Sequence, residues 1–260
     1  MNKTQYSVLF AALAMFLILY LGFDTKTDKQ KTAQASRSMQ AESTSLETLE
    51  ADAKAHLESA QAAQVADLEK KVEQAGDDAA RISALKDLSG AWYRFGQVTV
   101  AGGIAEEIAT LENADTAWSV AGALFFNGLV GSQDQVIRSY CATHAVKAFE
   151  NAASLNPDNP EHRVNLALVY AENPPPNNPM QAVMMLRELE SKHPDNPAVY
   201  NALGRLAIKT GQWQRAIDRL EKAWALSKTN PNTPCLLAQA YEATGNTIKA
   251  KEFAGICNTR

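Results

Sequence analysis

The run "AVYNALGRLAIKTGQWQRAIDRLEKAWALSKTN" (198–230) decides how the rest of the chain is read. Tyr200, Leu203 and Ala207 recur at three- and four-residue steps, which places them on one face of a helix. "KTGQ" (209–212) interrupts this stripe, and glycine supplies there a backbone state that other residues adopt at a cost. A second stripe follows through Ala216, Leu220 and Ala223. One helix, a glycine turn and another helix account for the whole run.

The same register returns after Pro231. Leu237, Ala238, Tyr241, Gly245, Ala250, Ala254 and Cys257 fall 34 residues after Leu203, Gly204, Ala207, Gly211, Ala216, Leu220 and Ala223. "PDNP" occurs at 157–160 and again at 194–197, a spacing of 37. Each copy precedes a helical pattern, so we read both as joints at which proline stops one helix and Asn-Pro starts the next. Between them, Leu166, Ala167 and Tyr170 make a first stripe and Ala182, Leu186 and Leu189 a second. The turn "NPPPNNP" (173–179) replaces the short glycine turn and explains the three extra residues. A rigid elongated turn is its plain reading; a polyproline segment for proline-binding modules is the other. Upstream, Trp118, Ala121, Gly122 and Phe125 pair with Ala145, Phe149 and Ala152, across a long connection that implies an extended second helix. Leu88, Ser89, Trp92, Gly96, Ala101 and Ala105 fit a degenerate copy beginning near Ile82.

"ALGRLAIKTGQWQRAIDRLEKAWAL" (202–226) resembles the tetratricopeptide repeat (TPR) family, with its Leu-Gly pair, turn glycine, spaced alanines and closing proline. The resemblance implies an all-α solenoid over 82–260, of three clear and two divergent helix pairs, whose first helices line a concave protein-binding surface. It places Asn201, Arg205 and Lys209 inward in the best copy. Further groove candidates are Lys86, Tyr93 and Arg94, then Ser119 and Asn127, then Gln239. Arg can fork onto a carboxylate and Asn can pair with a peptide amide, which suits an acidic or extended ligand. The family's clamp for chaperone tails is not matched, because Gly90 stands one turn after Lys86 where asparagine is expected.

Other chemistry is sparse. The 260 residues carry a net charge of -4, which gives nucleic acid no electrostatic footprint. Cys141, Cys235 and Cys257 form an odd, scattered set that reads as free or packed thiols. Cys141 and His144 are the one close Cys/His pair, and His162 and His193 fall in other repeats, so neither a metal site nor a catalytic pair is assembled. "AGG" (101–103) lacks the lysine and strand of a phosphate loop. We expect no enzyme activity, cofactor, metal or small-molecule substrate.

The N-terminal part is organised differently. From Thr4 to Phe23 no residue is charged, and "YSVLFAALAMFLILYLGF" (6–23) is long enough for a bilayer. We read residues 1–23 as a retained single-pass anchor in a bacterial inner membrane. The alternative, a cleaved signal peptide, has "AQA" (33–35) far behind the apolar run. Lys26, Lys29, Lys31 and Arg37 against Lys3 place the body on the cytoplasmic side by a small margin, with the periplasmic side still open. Residues 24–45 read as a polar linker, and 46–76 as an amphipathic helix striped by Leu46, Leu49, Ala53, Leu57, Ala60, Val65, Leu68, Val72 and Ala75. The expected function is a membrane-anchored, non-enzymatic scaffold for protein or peptide partners. A self-assembling structural protein, paired through 46–76 and repeat stacking, is the alternative.

Overall fold

A computed structural model describes residues 45–259. These fold into α1 (Leu46–Ala55), α2 (Ser59–Glu73), α3 (Asp78–Arg94), α4 (Val98–Glu112), α5 (Asp115–Gly131) and α6 (Gln135–Leu155). They continue with α7 (Pro160–Glu172), α8 (Gln181–Lys192), α9 (Pro197–Lys209), α10 (Trp213–Leu226), α11 (Asn232–Ala243) and α12 (Thr247–Asn258). No strand occurs among the described residues. The expected anchor and all of the linker but Ser45 lie outside them; within them no helix is long and apolar enough to cross a membrane.

From α3 onward the helices form five antiparallel pairs, each packed on the next. The turns carry the register. Gly96, Gly211 and Gly245 take φ of 80°, 68° and 79°, the left-handed region that side chains resist. At each turn the following residue donates its N–H five residues back: Gln97 to Trp92, Gln212 to Ala207 and Asn246 to Tyr241. These are the bonds of a glycine-terminated helix end. The divergent first copy therefore turns as the best copy does, and its first helix begins at Asp78, where Asp77 accepts from the Ala80 N–H.

Both PDNP sites are joints. Asn159 accepts from the Glu161 N–H, Asn196 accepts from Ala198 and Val199, and proline follows each cap at the first helical position. The triple proline lies in the eight-residue connection 173–180 between α7 and α8, where Asn178 N–H bonds Pro175 O and Gln181 N–H bonds Asn178 O. The long connection of the second pair is absorbed by helix: α5 has 17 residues and α6 has 21, with 132–134 between them.

Small residues let the pairs close. A side chain on Gly204 would meet Leu220 Cγ at 2.5 Å, and one on Gly122 would meet the Phe149 ring at 2.8 Å. The core runs along the array as successive clusters, with Trp92, Phe125, Phe149, Leu186, Leu220 and Leu237 fully buried.

Two expectations are corrected. The stripe over 46–76 is two helices, not one: α1 closes with 3₁₀-type bonds at His56 and Leu57, and Glu58 opens α2 through a reciprocal capping box with Gln61. An apolar period that continues across a break cannot reveal it. Ala53, Val65 and Leu68 are buried against α3 and α4, and Leu46, Leu49, Leu57 and Val72 join that core. The cysteines are not all free, either. Cys235 and Cys257 form a disulfide across the last pair, 22 residues apart in sequence, and only Cys141 is a free thiol. Folding the pair back on itself opposes two positions whose spacing in sequence carries no such signal.

Candidate partner-binding surface

The first helices of pairs two to five (α5, α7, α9 and α11) touch one another in succession. This is the packing that leaves the second helices on the outer side of a solenoid. Two depressions among the described residues hold expected groove candidates. The N-terminal one, of about 460 Å³, is lined by Lys86, Gly90 and Tyr93 of α3 and by Thr116, Val120 and Leu124 of α5, with Ala105 and Ile108 of α4 beneath. Its lining is mostly aliphatic and aromatic. Tyr93 and Val120 are 52% and 56% exposed and border this apolar lining. Lys86 Nζ is held 2.5 Å from Glu112 in the same depression, which neutralises both.

The C-terminal depression, of about 320 Å³, is lined by Leu168, Ala171 and Glu172 of α7, Arg205, Leu206, Ile208 and Lys209 of α9, and Leu236 and Gln239 of α11. Lys209 Nζ donates to the Ala171 carbonyl and the Glu172 carboxylate, each at 2.7 Å, and so also caps the end of α7. Arg205 has no carboxylate partner among the described residues; its guanidinium lies 5.4 Å from the centre of the Phe126 ring. That contact fixes the planar fork without using its hydrogen-bonding capacity on another charge.

The structure thus gathers Lys86 and Tyr93 in one depression and Arg205, Lys209 and Gln239 in the other. It does not bring the remaining candidates into either. Asn201 donates to Thr233 Oγ1 at 2.5 Å, and Ser119 bonds His162 Nδ1 at 2.8 Å. Both tie one first helix to the start of the next. His162 is buried, and its Nε2 also meets Asp115 at 2.9 Å, an anchorage between α5 and α7 that spacing along the chain does not reveal. Arg94 and Asn127 are exposed outside the depressions. Val120 and Leu124 were not among the expected groove residues, but α5 itself points to them, because no residue between Asp115 and Asp134 is charged.

Cys141 and His144 do not meet as a pair. The Cys141 sulfur lies 3.4 Å from Thr99 Oγ1, and burial pushes its thiol up, away from the reactive thiolate. His144 Nδ1 bonds Glu106 at 2.6 Å, and Lys147 bonds the same carboxylate at 2.6 Å. Among the described residues no group of three His, Cys, Asp or Glu side chains is placed to hold a metal ion.

No protein-family model matches the chain, and no curated protein does. Solved structures do. TTC0263, a thermophilic TPR protein of Thermus thermophilus, is 18% identical, covering 69% of this chain and 90% of its own, with a TM-score of 0.50. The fold is that of tetratricopeptide repeats. A chain of the APC/C hetero-tetramer Cut9–Hcn1 also matches this TPR-like array, at 15% identity and a TM-score of 0.52, over 76% of this chain and 37% of that one. At these identities the likeness concerns the fold.

Proposed function

We propose that the chain is a non-enzymatic TPR scaffold that holds protein or peptide partners on the face formed by its first helices. The observation that carries this reading is the pair of depressions on that face, one apolar and one carrying Arg205 without a carboxylate partner among the described residues. A partner in extended form fits both: apolar side chains over Tyr93, Val120 and Leu124, and a carboxylate on Arg205. The uncharged run from Thr4 to Phe23 supports the further reading that a single-pass anchor holds the scaffold in a bacterial inner membrane.

The test is affinity capture from detergent-solubilised membranes, comparing the wild-type chain with a Val120→Asp, Arg205→Glu double variant. Both changes are at accessible positions; they leave the pair-closing glycines and the hydrogen bonds of Asn201 and Ser119 intact and remove only the Arg205–Phe126 contact. Loss of the co-purifying proteins with unchanged helical content is the expected result. Equal capture by both chains contradicts the proposal.

A further inference from the structure

The chain has three cysteines. Cys235 on α11 and Cys257 on α12 are bonded, with Cα atoms 5.0 Å apart, a separation a disulfide spans without moving the backbone. We infer that the repeat array works in an oxidising compartment outside the cytoplasm, where this bond clasps α11 to α12.

The register of the repeat carries the argument. The residue 34 positions before Cys235 is Asn201, and the residue 34 positions before Cys257 is Ala223. In the fourth pair Asn201 reaches forward to Thr233, the start of the fifth, and α10 is covered by α11. Among the described residues α12 of the fifth pair packs chiefly on α11. At that pair both register positions are cysteine, and the side chain that reached forward in the fourth pair is bonded back to its own partner helix. One such change would leave a lone thiol; two at opposed positions make a covalent clasp. It lies beside an α12 whose one buried apolar side chain is Phe253 and whose Ile248 is 81% exposed.

The third cysteine is kept apart from this chemistry. Cys141 lies buried on α6 in the second pair, against Thr99, and offers no accessible thiol for exchange. In the cytoplasm the thiol-reducing systems hold such pairs as free thiols, and the clasp would not persist. The inference opposes the side of the membrane suggested by counting lysine and arginine around residues 4–23, where Lys3 stands against Lys26, Lys29, Lys31 and Arg37. It also narrows the partners to proteins present in that same compartment.

The experiment uses the full chain in a bacterial host. Cells are quenched in acid, the protein is denatured, and its thiols are modified with a maleimide-polyethylene glycol before or after reduction. The inference predicts one adduct before reduction and three after; with Cys141→Ser it predicts none before and two after. Three adducts without reduction overturn it. Protease added to spheroplasts with a sealed inner membrane should degrade the array, and full protection overturns the placement. Amide hydrogen exchange on the purified chain reads the clasp itself. Reduction should speed exchange in α12 at least tenfold while α4 is unchanged, and an unchanged α12 overturns the clasp's stabilising role.

Discussion

Leu220 is fully buried and occupies the place where Gly204 would otherwise carry a side chain. Gly204→Ala should therefore destabilise the protein by about 1–3 kcal/mol, the usual result of overpacking a closed core. Gly76→Ala, with nothing within 4 Å of its added carbon, should leave the thermal midpoint unchanged. Glu106 offers a pH test. Burial pushes its pKa up, but the bonds and charges of His144 and Lys147 outweigh this and hold it below its ordinary 4.5. An acid held low when folded contributes stability that is present above its unfolded value and lost as pH falls through the folded one. In urea melts at neutral pH, Glu106→Gln should cost about 1–3 kcal/mol. The difference should shrink as pH falls below 4.5 and through the lowered folded value. At this scale the sequence was a partial guide. Arg205, Lys209, Gln239, Lys86 and Tyr93, expected on first helices from the repeat register, do line the two depressions. The ties of Asn201 to Thr233 and of Ser119 to His162 were not, because they join residues in different pairs whose approach is set by packing.

The helix pair was the most legible unit. Its turn demands a left-handed residue, so Gly211 and Gly245 announce it, and Gly96 shows the same turn where the surrounding pattern is weak. Gly211→Ala has open space around it but the wrong backbone angle, and should cost about 1–2 kcal/mol by thermal melting. The PDNP joints were legible for a similar reason, since cap and proline act within one turn of the chain. The break between α1 and α2 was hidden because Leu57 continues the apolar stripe through it and packs into the same core. The Cys235–Cys257 bond was hidden because it depends on two helices being folded together.

On the scale of the molecule, α1 and α2 pack on the first helix pair of the array, and a disulfide joins α11 to α12. Most of the 46–73 stripe packs into the chain's own core, with Ala60 left exposed, so little of it remains for a paired assembly. The purified protein should accordingly sediment as a monomer, and a dimer abolished by Ala60→Asp, at that exposed position, would restore the self-assembly reading. The central claim is that partners occupy the face of the first helices. Its most direct measurement is photo-crosslinking in intact membranes from single positions: Val120 and Gln239 on that face, Met184 and Asp218 on the exposed sides of second helices. The account predicts adducts with other proteins from Val120 and Gln239 and little or none from Met184 and Asp218. Adducts confined to Met184 and Asp218 would contradict it.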